Sequence, residues 1–145
     1  MIPFCVMLVV IGLARATGAA AWPLLDSWPV AVRVGLAVMF VFTGTAHFTK
    51  TRVDLIRMVP PGLPRPAPLV TLTGILELAG AIGLLVPGLA RWAAHGLILL
   101  LLAMFPANIH AARSGQTIGG LPHTPLALRL PLQLLWMGLL WWSAP

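Results

Sequence analysis

The apolar positions of the chain fall into five runs separated by short polar or proline-rich links. The runs are Ile2 to Ala21, broken once by Arg15, then about Val30 to Phe48, Pro68 to Val86, Leu89 to Phe105 and Leu126 to Trp142. Each is roughly 17–20 residues long, the length an α-helix needs to cross a hydrocarbon core about 30 Å thick. No period-two alternation runs through them, which argues against a β-barrel. No stretch repeats another, so a transporter built from inverted repeats is not supported.

The links carry their own signals. Ile2 to Ala21 reads either as a first span, with Arg15 snorkelling to the interface, or as a signal sequence ending at Ala19, Ala20 and Ala21. Met1-Ile2-Pro3 offers no positive n-region, which favours the span. The first link holds Trp22, Pro23, Asp26, Ser27, Trp28 and Pro29. In Lys50 to Pro66, Thr51 and Asp54 have the spacing of a capping box. The apolar Val53, Ile56 and Met58 there predict a short interfacial helix, stopped by Pro60-Pro61-Gly62. Pro87-Gly88 predicts a tight turn. Pro106 is expected near the end of the fourth run, and Pro131 is expected to kink the fifth. The last loop contains Asn108, His110, Arg113, Ser114, Gln116 and His123, the last without an assigned role.

Composition fits this pattern: 59% of residues are hydrophobic and 8% charged, against about 25% charged in soluble domains. The chain reads as an all-α integral membrane protein with one membrane domain, residues 1–145. The net charge of +6 comes from scattered residues with no basic run, so nucleic acid is not an expected partner; the lipid bilayer is. Lys50, Arg52, Arg57, Arg65, Arg113 and Arg129 fall at one boundary, and Arg15, Arg33 and Arg91 at the other. Under the positive-inside rule the N-terminus is cytoplasmic and the C-terminus outside. Trp22, Trp28, Trp92, Trp141 and Trp142 then form an outer aromatic belt. The single Cys5 excludes an internal disulfide or a CxxC motif and reads as packing.

Candidate chemistry centres on Glu77, the one charged residue between Thr73 and Leu85. An ionised, unpaired carboxylate at mid-bilayer costs from about 3 to over 10 kcal/mol, so Glu77 needs a proton, a partner or a polar cavity. At about 1.5 Å per residue, Glu77 lies some 13 Å into its span, Gln133 about 10 Å and Arg129 about 5 Å. Glu77 and Arg129 are candidate catalytic residues. His47, Thr73, Asn108, His110 and Gln133 are candidate ligand-binding residues. His95 is a rival partner for Glu77 by depth. The plainer readings are that each Thr bonds its own helix backbone and that a Glu–Arg pair fixes packing. Gly74, Ala79, Gly80 and Gly83 read as a helix-packing surface. The histidine spacings suggest no metal site, and His47 and His110 lie too near the interface for a bis-His haem. A pocket apolar below and polar above suits an amphiphile such as a quinone, a sterol-like molecule or a terpenoid.

These same residues carry a family resemblance. TGTAHF (Thr43–Phe48), MVPPGLPRP (Met58–Pro66), TGILELAGAIGLL (Thr73–Leu85), MFPANIHAA (Met104–Ala112) and LRLPLQ (Leu128–Gln133) together resemble the DoxX-like family of small membrane proteins. The resemblance implies a four-helix transmembrane bundle over about residues 30–143, with residues 2–21 as an added helix. The expected location is a bacterial inner membrane. Some relatives are linked to terminal oxidase, thiosulfate–quinone or thiol redox systems. The expected function is a small non-catalytic subunit supporting a redox or respiratory partner and binding a quinone or other lipophilic molecule. The alternatives are a membrane enzyme using Glu77 as proton carrier on a lipophilic substrate, and a small carrier.

Overall fold

A computed structural model describes residues 2–22, 25–122 and 124–144. Met1, Pro23 and His123, which the sequence places in the N-terminus, the first link and the last loop, lie outside the described residues. The helices are α1 (Ile2–Ala20), α2 (Trp28–Ala46), α3 (Arg52–Met58), α4 (Pro66–Leu85), α5 (Ala90–Arg113) and α6 (Leu126–Ser143). Helices α1, α2, α4 and α5 are long and apolar enough to cross a membrane. Helix α6 is not among these four, because Arg129, Pro131 and Gln133 dilute its apolar character over 18 residues.

Packing closes a ring. Helix α2 lies against α4, α4 against α5, α5 against α6, and α6 against α2, while α1 leans on α2 from outside. Glycines set the close approaches. A Cβ on Gly74 would stand 2.6 Å from His47 Cβ, and one on Gly80 would stand 2.5 Å from a Leu97 methyl. On Gly83 it would meet Ala93 Cβ at 2.8 Å. Gly74, Gly80 and Gly83 therefore do pack helices, whereas Ala79 faces outward. Leu36, Met39, Phe40, Leu84, Leu97 and Leu140 fill the ring, and Met7 of α1 joins them. Outside, Leu72, Ile75, Ile82, Leu99 and Leu134 are each at least half exposed, an apolar outer surface of a kind that soluble monomers rarely carry.

The connections show where local chemistry won and lost. Pro87-Gly88 forms the expected turn, with Leu89 N–H donating to the Val86 carbonyl and Gly88 at φ 85°, a type II arrangement that suits glycine. Helix α3 forms where its amphipathic pattern puts it, but its capping box does not. The Thr51 hydroxyl donates to the Ala46 carbonyl instead, and Asp54 accepts from Gly119 N–H of the last loop. That loop contains a small hairpin which the sequence reading lacked, β1 (Thr117–Ile118) paired with β2 (Leu121–Pro122). Gly119 and Gly120 turn it at φ 58° and 77°, the double left-handed turn that matches strand twist. Helix α5 does not end near Pro106. It continues to Arg113, where the Ser114 hydroxyl donates to the His110 carbonyl, and Asn108 in the extra turn is held by α6.

The ends of the ring differ in content. The C-termini of α2 and α5, the N-termini of α4 and α6, helix α3 and the hairpin share one end. The N-termini of α2 and α5 and the C-terminus of α6 share the other. Lys50, Arg52, Arg57, Arg65, Arg113 and Arg129 belong to the first end, and Arg15, Arg33 and Arg91 to the second.

Candidate functional site

The buried polar residues at the α3 end come one from each side of the ring. His47 at the end of α2, Glu77 of α4, Asn108 of α5 and Gln133 of α6 are all 4–5% exposed. Antiparallel packing explains the convergence, since each residue lies on an inner face within a few turns of the same end. The close α2–α4 contact at Gly44 brings the two helices together beside Glu77. A Cβ on Gly44 would stand 3.2 Å from Glu77 Cβ.

Three contacts organise the cluster. The Thr43 hydroxyl donates to Glu77 Oε2 at 2.6 Å. Arg129 Nη2 donates to Asn108 Oδ1 at 2.6 Å. Gln133 Nε2 donates to the Leu101 carbonyl at 2.8 Å, one residue before the carbonyl whose helical donor Pro106 removes. Glu77 and Arg129 are near enough for their charges to act on each other. His47 Nδ1 lies 3.0 Å from the Thr43 carbonyl, so Thr43 touches both ionisable side chains of the α2–α4 seam.

Of the residues singled out from sequence, Glu77, Arg129, Asn108, Gln133 and His47 meet in this cluster. Thr73 does not join through its hydroxyl, which bonds the Val70 carbonyl in its own helix. The half-buried His110 sits in the last turn of α5. His95 is no partner of Glu77. Its ring meets Trp141 edge-on at 5.2 Å, and its Nδ1 lies 2.6 Å from the Arg91 carbonyl. Helix α5 runs on to Arg113, so His95 lies farther from the α3 end than its place in the fourth run implied, and Leu97, not His95, meets Gly80.

Two residues carry more than the sequence reading gave them. Thr43 supplies the hydrogen bond expected from a cation. Its signal was its position four residues before His47, on one helical face. Arg52 donates to the His47 carbonyl at 3.1 Å, the Ala67 carbonyl at 3.2 Å and Thr71 Oγ1 at 2.9 Å. It closes the α2–α4 seam directly outside the cluster. Beyond it, Gln116 Nε2 donates to the Arg57 carbonyl, so α3 and the hairpin loop cover this end.

Two surface clefts stand out among the described residues. One, of about 420 Å³, is an apolar groove on α1 between Ile2 and Val10. The other, of about 440 Å³, lies at the opposite end of the ring, between Arg33, Arg91 and Ser143. Neither includes a residue of the Glu77 cluster. Among the described residues, no group of three or more His, Cys, Asp or Glu side chains could hold a metal ion.

The family described as a domain of unknown function (DUF8561) matches residues 36–144, which take in the whole polar cluster and leave α1 outside. No curated protein and no solved structure matches the chain.

Proposed function

We propose, for a chain that belongs to the domain-of-unknown-function family DUF8561, that it is a small integral membrane subunit supporting a redox or respiratory partner. In this reading the Glu77 cluster holds the polar head of a lipophilic molecule such as a quinone. One observation carries it: a buried carboxyl inside an apolar bundle, bonded by Thr43 and flanked by a buried polar residue from each neighbouring side. Ionisable groups at such depth are costly, and proteins keep them for use. Quinone carbonyls only accept hydrogen bonds, so a site for them needs donors; Arg129 and Gln133 each carry N–H groups beyond the one that bonds Asn108 or the Leu101 carbonyl, and Thr43 orients Glu77. The resemblance to DoxX-like proteins points the same way. A supporting subunit fits better than an enzyme because the acid–base candidates are engaged by neighbours: His47 by the Thr43 carbonyl and Arg129 by Asn108.

The topology belongs to the same proposal. Helix α6 closes the ring between α5 and α2, so it crosses with them and makes five spans. The end with six basic residues faces the cytoplasm of a bacterial inner membrane, with the N-terminus inside and the C-terminus outside.

The test is the Glu77→Gln variant, purified alongside the wild type, with organic extraction and mass spectrometry of what each carries. Gln keeps the shape and removes the titratable group. The expected result is a quinone or related lipophile in the wild type, lost at least tenfold in a variant that folds normally. Equal lipophile content together with equal partner co-purification would falsify the reading and leave Glu77 a packing residue. Recovery of a chemically converted lipophile would instead favour the enzyme.

A further inference from the structure

The cleft at the other end of the ring presents cationic and donor groups that no described residue satisfies. Arg33 of α2 and Arg91 of α5 both line it. Neither guanidinium has a hydrogen bond or ion pair among the described residues. The acid of this end, Asp26, is already taken by Arg15 at 2.9 Å, and Arg15 also stacks on Trp28 at 4.6 Å. Helix α5 starts at the cleft without a side-chain cap, since its N-cap position is Leu89. Its first-turn N–H groups and the positive end of its dipole are therefore left to an outside acceptor. The independent observation is Ser143. It is 0% exposed, lines the cleft, and its hydroxyl finds no partner among the described residues. A buried hydroxyl without a partner costs about 1–3 kcal/mol unless something external satisfies it.

The geometry points to a binding site for a phosphate-type anion between Arg33, Arg91, Ser143 and the start of α5. Two guanidinium groups suit phosphate oxygens, which accept paired N–H donors. A helix N-terminus adds backbone donors and a favourable dipole. The volume of about 440 Å³ holds a headgroup. Trp92, 75% exposed, stands at the rim, and Trp28, Trp141 and Trp142 are exposed at the same end. Such residues sit at headgroup level in a bilayer. The anion can come from a phospholipid headgroup or from free phosphate, and the two are separable.

The experiment uses the full chain in neutral detergent. Binding of dihexanoylphosphatidylglycerol and of inorganic phosphate is measured by calorimetry for wild type, Arg33→Gln/Arg91→Gln, Arg91→Gln alone, and Arg57→Gln/Arg113→Gln as a charge-matched control at the far end. The expected result is saturable binding of at least one probe, weakened tenfold or more by the first double change and unaltered by the control. Lipid binding without phosphate binding assigns a headgroup site; binding of both assigns a site for the free anion. Arg91 is exposed, so its single change keeps the test open if the double variant fails to fold, and a threefold or greater loss is expected from it. Binding equal in wild type and variants, equal loss in the control, or no binding of either probe overturns the proposal.

Discussion

The two ends of the ring use the same residue types to opposite effect. At the α3 end, arginines are consumed by the fold: Arg52 reaches three acceptors across the α2–α4 seam, and Arg129 holds Asn108. At the other end, Arg33 and Arg91 line a cleft without a hydrogen bond or ion pair among the described residues, next to a buried hydroxyl in the same condition. A cation bonded within the fold contributes first to stability, whereas one left at a cleft keeps all its donors for a ligand. The α3 end also places its acid deep in the bundle, while Asp26 at the other end is half exposed and bound to Arg15. One end is a buried polar interior, the other an open polar mouth.

Substitutions can break that distinction, and the largest effect belongs to Arg129. Arg129→Met strips Asn108 of its charged donor and leaves Glu77 without the opposing charge, a loss of about 3 kcal/mol in unfolding from mixed micelles. Adding Glu77→Leu removes the stranded acid, and the double variant is expected to regain at least half of the loss. Failure to regain any would mean that the two charges act separately. Thr43→Val comes next. It leaves a buried carboxyl without its 2.6 Å donor and is expected to cost about 2 kcal/mol in the same assay. Gly74→Ala follows at about 1–2 kcal/mol, because the new methyl meets His47 Cβ rather than a yielding side-chain end. The smallest effect is expected at the open end. Arg33→Gln and Arg91→Gln should each shift stability by less than about 0.5 kcal/mol in the absence of added anion. A loss near that of Arg129→Met would show that the open end is structural after all.

The sequence made one end far more legible than the other. Hydrophobic run lengths located all five long helices to within two residues, except at the C-terminus of α5. There Pro106 read as a stop because its lost hydrogen bond counts locally, whereas the bonds that extend the helix come from α6 and Ser114. Glu77, Asn108, Gln133 and His47 were recognisable as a convergent set because depth along antiparallel helices can be counted in residues. Partner choice could not be counted this way. Whether Thr43 or His95 met Glu77 depended on helix rotation and on the slide that glycine contacts permit. The capping box at Thr51 was outcompeted by tertiary acceptors, the Ala46 carbonyl for Thr51 and Gly119 N–H for Asp54. The cleft at Arg33 and Arg91 was invisible, since those residues are far apart in sequence and read singly as interfacial anchors.

The contrast between the ends is tested most directly by native mass spectrometry of the protein released from its own membrane. Wild type, Glu77→Gln and Arg33→Gln/Arg91→Gln would be compared for the molecules that stay bound. A buried polar interior and an open polar mouth with separate occupants predict a crossed result: Glu77→Gln loses the neutral lipophile and keeps the phosphate-bearing species, and the double arginine variant does the reverse. Loss of the same species from both variants, or retention of everything by both, would contradict it.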